Sequence, residues 1–212
     1  MKIPAKALLF ITSHCQHCPG VMQSLTDLVK SGELGQLEII NLQQSPELAQ
    51  QYNIKSVPWL KIGAFELTGL RSKSDIQQWI KRSSDNAMGE YFVELMTSGE
   101  INKVQQIIEK QPETFPALLN LIAETDSNLS ARIGAGAIIE ELAGSDLLKQ
   151  HIPLLAELSQ HPVASVRNDA CYYLGLSNDT SAKPYIEALL NDKDMDVKET
   201  AIEALEEISC LK

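Results

Sequence analysis

The sequence predicts an α/β sandwich of element order βαβαββα over residues 1–84, followed by an all-helical domain over residues 85–212. Up to residue 82, short apolar runs of strand type alternate with amphipathic helical patterns, which is typical of a small α/β domain. Beyond the polar segment 83–86, every apolar pattern is helical. The helical pattern recurs with periods of 35 and 31 residues, which indicates a solenoid of stacked helix pairs.

The elements of the first domain follow from apolar periodicity and from turn residues. Four strands are expected from compact apolar runs, at 7–12, 37–42, 57–62 and 65–68. Three helices are expected from apolar residues at helical spacing, at 19–30, 47–52 and 72–82. Ser31-Gly32 ends the first helix, and Gly63-Ala64 form the tight turn of a hairpin.

The helical repeat is visible in three aligned segments. Arg132, Arg167 and Lys198 are each followed by an alanine three positions later and by a large aliphatic residue seven positions later. Together with the turns before the last two segments, which are Asp-containing or polar, this pattern resembles HEAT repeats over about residues 120–210. The resemblance implies a solenoid of about four helix pairs, with 88–121 as an irregular capping pair. It also implies that the basic ladder bonds to the preceding turn, and that the array binds other proteins.

The two predicted domains differ in charge. Residues 1–84 contain 9 Lys/Arg and 6 Asp/Glu, a net charge of +3, whereas residues 85–212 contain 9 and 22, a net charge of −13. Such an acidic surface repels phosphate backbones and anionic lipid headgroups, so we expect a basic protein partner and neither nucleic acid nor membrane. The apolar run 7–11 is shorter than the ~7–15 residues of a signal-peptide core, so we expect a cytoplasmic protein.

The chemistry of the first domain is predicted to lie in the C-x-x-C motif at 15–18. Cys15 follows the first strand and Cys18 falls in the first turn of the next helix. Backbone N–H groups and the helix dipole there favour a Cys15 thiolate, which lowers the pKa of the thiol below ~8.5. The spacing also brings the two sulfurs close enough to close a ring of low strain. We therefore expect Cys15 to attack a partner disulfide and Cys18 to resolve the mixed disulfide.

Two histidines accompany the cysteines. His17 lies between them and His14 directly precedes Cys15. A protonated imidazole beside Cys15 would further favour the thiolate and make the couple more oxidising. We therefore predict that His17, with a contribution from His14, tunes the redox potential of the pair.

Two segments further along the chain add to the evidence from the motif at 15–18. Ser56-Val57-Pro58-Trp59 lies 40 residues beyond the cysteines, and the segment 68–73 precedes the last helix. With Pro19 after Cys18, the three segments resemble the thioredoxin superfamily, nearest to its thioredoxin/glutaredoxin-like branch with a C-x-x-C-P site. The chain departs from thioredoxin at His14, where thioredoxin has Trp, and at Leu9, where thioredoxin has a buried Asp.

The resemblance assigns a role to each site residue. It implies that Cys15 is the nucleophile, Cys18 the resolving thiol and Pro58 a cis-proline facing the cysteines. It further implies that Val57 and Gly69 contact the substrate, that Trp59 either packs beside the active site or contacts the substrate, and that neither a cofactor nor a metal is required. The expected function is that of a protein thiol–disulfide oxidoreductase, acting on protein thiols and disulfides, whose HEAT repeats dock a protein partner.

Two other interpretations remain open. In the first, the chain is a HEAT adaptor whose dithiol senses redox state. In the second, His14, Cys15, His17 and Cys18 bind Zn²⁺ or Cu⁺, although a closed site needs a further ligand pair. The remaining cysteines do not supply that pair: Cys171 is expected to be a buried structural thiol, and Cys210 to be incidental.

Overall fold

The computed structural model describes residues 5–85, 87–124 and 129–209. The chain divides into two compact units, Met1–Ala87 and Met88–Lys212. The division falls three residues beyond the expected limit at 84, and the last helix of the first unit continues to Asp85. Residues 83–85 read as a linker in sequence, but they continue the helix, and the half-buried hydroxyl of Ser83 donates to the carbonyl of Ile80 within it. Asn86, Cys210 and the segment 125–128 lie outside the described residues.

The first unit has the predicted order βαβαββα. Its seven elements are β1 (Lys6–Ile11), α1 (Cys18–Lys30), β2 (Gln36–Asn41), α2 (Pro46–Gln51), β3 (Trp59–Ile62), β4 (Phe65–Thr68) and α3 (Lys73–Asp85). The hairpin between β3 and β4 turns at Gly63, whose φ of 58° is a conformation that glycine adopts without steric cost.

The four strands form one sheet in the order β2-β1-β3-β4. β1 runs parallel to β2 and antiparallel to β3, which is antiparallel to β4. Near one end of the sheet, Phe10 of β1 is paired with Trp59 of β3, and Trp59 is paired with Thr68 of β4. The segments that follow β1, precede β3 and follow β4 therefore lie at the same end of the sheet.

The sheet of the first unit is covered on both faces. On one face, Leu9, Leu60 and Trp79 are at most 1% exposed. On the other face, Phe10 packs against Tyr52 and Trp59, with ring centroids 5.1 and 5.4 Å apart. Two neighbouring residues of β1 are thus buried on opposite faces, as expected of a central strand between two layers.

The second unit is helical in every element within 88–124 and 129–209. Its helices are α4 (Met88–Thr97), α5 (Ile101–Lys110), α6 (Phe115–Ala123), α7 (Leu129–Glu141), α8 (Asp146–Gln150), α9 (Ile152–Leu158), α10 (Ala164–Leu176), α11 (Lys183–Leu189) and α12 (Met195–Ser209). This confirms the expected all-helical region. The segment 88–121 is not a single capping pair, because it contains α4, α5 and most of α6. In the described parts of the chain, no helix is long and apolar enough to span a membrane.

The repeat positions of the second unit play the same structural part in successive helices. The alanines that follow the basic residues by three positions, Ala135, Ala170 and Ala201, are fully buried. Small side chains at these positions let the helices pack closely, which explains the periodicity of the sequence.

The arginine ladder connects neighbouring helices. Arg167, 6% exposed, donates two hydrogen bonds of 2.7 Å to the carboxylate of Asp192. It also donates to the backbone carbonyls of His161 and Pro162 in the preceding turn, as predicted. The aspartate, however, lies in the following turn rather than in the preceding one. The hydrogen bonds from Arg167 lower the pKa of Asp192 to about 2.

Candidate active site

The C-x-x-C motif lies in the connection between β1 and α1. Cys15 is half-buried in the connecting loop, and Cys18, which is 2% exposed, is the first residue of α1. The two residues are joined by a disulfide bond, with their Cα atoms 5.5 Å apart. Of the two sulfurs, that of Cys15 therefore belongs to the residue with the greater exposure to an approaching partner.

The N-terminus of α1 supplies a hydrogen-bond donor to the sulfur of Cys15. The backbone N–H of Cys18 donates to Cys15 Sγ at 3.1 Å. Pro19 in the first turn lacks an N–H and has a φ suited to a helix start, which fixes the beginning of α1 at this point. Once the disulfide is reduced, the N–H and the positive end of the helix dipole favour a thiolate at Cys15.

The two histidines flank the disulfide at the surface. His14 and His17 are both exposed, and His17 occupies the N-cap position of α1 without a capping hydrogen bond from its side chain. Exposed imidazoles remain solvated, so their influence on a neighbouring sulfur is screened by water. Their redox-tuning role stays a prediction.

The segment before β3 lies at the same end of the sheet as the cysteines. The Val57–Pro58 peptide bond is cis, Pro58 is buried and Val57 is half-buried. Among the described residues, neither the N–H nor the C=O of Val57 takes part in a backbone hydrogen bond. The expected pairing of this backbone with a substrate chain stays a prediction.

Gly69 connects the end of β4 to this segment. Its N–H donates to the carbonyl of Pro58 at 2.9 Å, and its φ of 82° favours glycine. Because this N–H is bonded within the domain, Gly69 fixes the loop and does not donate that hydrogen bond to a substrate. A substrate contact by Gly69 through its remaining surface stays a prediction.

Of the two roles expected for Trp59, packing beside the site fits the structure, and a substrate contact through the side chain does not. This side chain is 2% exposed and packs edge-on against Phe10 and Tyr52. Tyr52, the C-cap residue of α2, thus packs on this face of the sheet, and the indole ring is enclosed in the core. Trp59 therefore stabilises the start of β3, next to Pro58, through contacts within the core.

Two residues that the sequence analysis passed over lie in the loop after β4. Leu70 is 62% exposed and directly follows Gly69. Arg71 donates to the carbonyl of Thr68 and to the carboxylate of Asp75, so it holds the loop against the start of α3. The sequence pattern that could have indicated an exposed Leu70 is an apolar residue between glycine and arginine in a polar loop. The hydrogen bonds of Arg71 depend on the folded loop and have no signature in sequence.

The described residues offer no cluster of three or more His, Cys, Asp or Glu side chains suited to a metal ion. Of the two cysteines outside the motif, Cys171 is a free, fully buried thiol in α10, which confirms its expected burial.

Comparisons with known proteins agree with both halves of this architecture. Residues 6–81 match the family model described as thioredoxin domain, and residues 152–209 match the model described as HEAT repeats. A thioredoxin of Methanocaldococcus jannaschii is 29% identical to this chain over 79 residues, which are 36% of this chain and 93% of that protein. The matches confirm both resemblances seen in the sequence, the HEAT resemblance over residues 152–209 of the expected 120–210. The chain thus carries a thioredoxin domain with a redox-type cysteine pair, followed by HEAT repeats.

Proposed function

We propose that the protein is a thiol–disulfide oxidoreductase that exchanges disulfides with partner proteins through Cys15 and Cys18, while its HEAT repeats dock a partner. The hydrogen bond from the Cys18 N–H to Cys15 Sγ, at a helix N-terminus in a thioredoxin domain, carries this proposal. It is the arrangement that stabilises an attacking thiolate. The cytoplasmic location expected from the sequence stays a prediction.

The exchange proceeds in two displacement steps. The thiolate of Cys15 attacks one sulfur of a partner disulfide, a new S–S bond forms, and the other partner sulfur leaves as a thiolate with the electron pair. Cys18 then loses its proton and attacks Cys15 Sγ, which releases the second partner thiolate and forms the Cys15–Cys18 disulfide. The partner gains two electrons and the protein loses two; the reverse sequence oxidises a partner dithiol.

The difference in exposure between the two cysteines fits a nucleophilic role for Cys15 and a resolving role for Cys18. Cys18 is buried, so a partner disulfide in solution meets Cys15 first, and Cys18 attacks only the mixed disulfide that forms on Cys15. The backbone of Val57 offers main-chain hydrogen bonds that orient the partner segment across the site. Precise orientation of two sulfurs accounts for much of the rate advantage of an enzyme over a free thiol.

Trapping with Cys18→Ser tests the proposal. Without the resolving thiol, the mixed disulfide on Cys15 persists, so we expect covalent complexes that a reductant releases. The control is the double variant Cys15→Ser/Cys18→Ser, which should trap nothing, whereas Cys18→Ser/Cys171→Ser should trap as Cys18→Ser does. Complexes that survive replacement of Cys15 would contradict the proposal.

Turnover separates this function from the adaptor interpretation. With insulin as a generic disulfide substrate and a small dithiol as electron donor, an oxidoreductase reduces many equivalents of substrate per protein molecule. An adaptor with a redox-sensing dithiol exchanges once and then stops. A single equivalent of exchange, together with a change in partner affinity on oxidation, would favour the adaptor.

A further inference from the structure

The outward sides of three helices form one surface of the second unit. Arg132 of α7 donates to Asp169 of α10 at 3.0 Å, and Thr200 of α12 donates to Asn168 of α10 at 2.7 Å. α10 is therefore joined to a neighbour on each side by side chains that lie at the surface. We call this continuous surface the α7–α10–α12 face.

An exposed aromatic ring lies on α10 in the middle of this face. The side chain of Tyr172 is 40% exposed, and its ring centroid is 5.5 Å from that of Tyr173, which is 7% exposed. Tyr172 thus packs beside a buried ring and presents the rest of its own ring to solvent. The face of such a ring is electron-rich and attracts cations.

Carboxylates from both neighbouring helices act on this ring. Burial raises the pKa of Tyr172, and the negative charges of Glu140 on α7 and Glu207 on α12 raise it further. Both glutamates are exposed.

The packing of the helices places these groups near one another. A Cβ on Gly175, three positions after Tyr172 in α10, would lie 3.9 Å from Glu207 Oε2 of α12. On the other side, a Cβ on Gly136 of α7 would lie 3.0 Å from the hydroxyl oxygen of Tyr173. The two tyrosines are therefore flanked by α7 and α12, and each of these helices carries one of the exposed glutamates.

Negative charge predominates on the three helices. The sequences of α7, α10 and α12 contain eight Asp/Glu and three Lys/Arg. Two of the three basic side chains are in ion pairs, Arg132 with Asp169 and Arg167 with Asp192. Glu140 and Glu207 are therefore not neutralised by these arginines, and the α7–α10–α12 face attracts a cation from outside.

We infer that the α7–α10–α12 face binds an arginine-bearing segment of a partner protein, with the guanidinium stacked on Tyr172 and hydrogen-bonded to Glu140 or Glu207. A planar guanidinium combines the two properties that the face complements: it stacks on an aromatic ring and donates hydrogen bonds to carboxylates. The inference rests on the proposed function in that it names the chemistry of the partner docked by the HEAT repeats.

Fluorescence anisotropy with the full-length protein and a labelled peptide of alternating Arg and Gly tests the inference. We expect Tyr172→Ala to weaken binding roughly 5-fold, because a cation–π contact is lost, and Tyr172→Phe to retain affinity. Glu140→Gln and Glu207→Gln should each weaken binding about 3-fold. The matched control is Glu157→Gln, which removes an exposed carboxylate on α9, outside this face, and should leave affinity unchanged.

Three outcomes would overturn the inference: no binding by the wild-type protein, equal affinity of wild type and Tyr172→Ala, or equal weakening by Glu157→Gln. The last would indicate attraction by net charge alone.

Circular dichroism of each variant verifies that the helices are intact, and Tyr172→Phe preserves packing if Tyr172→Ala does not. Loss of peptide binding with unchanged trapping at Cys15 would refute this inference alone. Loss of trapping with unchanged peptide binding would refute the proposed exchange alone.

Discussion

Cys15 and Cys171 place the same chemical group in two contrasting environments. Cys15 is half-buried at the N-terminus of α1, where the Cys18 N–H donates to its sulfur. Cys171 lies within α10, fully buried, and its burial together with the charge of Asp192 raises the pKa of its thiol to about 12. One environment favours the thiolate and the other opposes it. We therefore expect position in the fold, rather than residue type, to decide which cysteine reacts.

The same contrast distinguishes the polar side chains of the two units. Beside the disulfide, His14 and His17 are exposed, so a partner protein that approaches the disulfide can contact both side chains. In the helical unit, Arg167 and Asp192 are enclosed between repeats, with side chains 7% and 9% exposed. Substitutions near the disulfide should therefore alter chemistry, whereas substitutions between the repeats should alter stability.

The largest effect on stability is expected from Arg167→Met. This variant leaves the carboxylate of Asp192 enclosed without its partner, which costs about 3–5 kcal/mol of unfolding free energy. The matched control is Arg132→Met at the equivalent repeat position, where the pair with Asp169 is 22% and 35% exposed and contributes about 0.2–1 kcal/mol. Urea denaturation followed by far-ultraviolet circular dichroism compares the two variants.

Both tryptophans, Trp59 and Trp79, lie in the first unit, so their fluorescence follows that unit separately in the same titration. Equal destabilisation by Arg167→Met and Arg132→Met would contradict the contrast between enclosed and exposed pairs.

A smaller effect is expected when the same pair is disrupted by acid. The pKa of Asp192 is lowered from 3.8 to about 2 in the folded protein. Its stabilising contribution, about 2 kcal/mol, is therefore fully present above pH ~4 and is lost as the pH falls toward 2. The difference in unfolding free energy between wild type and Arg167→Met should shrink over that interval. A constant difference from pH 5 to pH 2 would show that the ion pair does not titrate as described.

Two helical glycines extend the comparison to packing. A Cβ on Gly175 of α10 would lie 2.8 Å from the Cβ of Ala204, whereas a Cβ on Gly20 of α1 would meet nothing within 4 Å. We expect Gly175→Ala to destabilise the protein by about 1–2 kcal/mol through overpacking. Gly20→Ala should stabilise it by about 0.5 kcal/mol, because alanine favours the helix. Thermal melting of both variants measures the difference, and a shift of the same sign in both would contradict it.

The smallest effect is expected from His17→Ala on the redox potential of the disulfide. Loss of the imidazole should make the couple more reducing, by about 15 mV or ~0.7 kcal/mol, because solvent screens an exposed side chain. Equilibration with glutathione measures the potential. Gln16→Ala is the control, since it changes a neutral side chain in the same loop. A shift toward a more oxidising potential, or an equal shift in both variants, would show that His17 does not tune the pair.

Local patterns in the sequence predicted much of the fold and of the site. The order of elements follows from apolar periodicity, and the turn at Gly63 follows from residue type. The hydrogen bond to Cys15 Sγ follows from a C-x-x-C spacing at the start of a helix, which Pro19 marks. Each of these features depends on residues within a few positions of one another.

Features that depend on distant residues were not predicted. Packing of Trp59 beside the site was one expected role, but its partner Tyr52, which covers the same face of the sheet, was not. The partner of Arg167 lies 25 residues ahead, in the turn before α12, and only the stacking of repeats brings them together. The close approach of Gly175 to Ala204 likewise arises from the packing of α10 against α12. Sequence periodicity indicates that helices stack, but not which side chains then meet.

We expect Cys15 to be the reactive thiol of the chain, and the rate of alkylation of each cysteine tests this most directly. The reduced full-length protein is treated with limiting iodoacetamide, and mass spectrometry follows the labelling of each cysteine with time. We expect Cys15 to be labelled first, and Cys171 to be labelled only after the protein is unfolded in denaturant. Labelling of Cys171 in the folded protein at a rate equal to or above that of Cys15 would contradict the account.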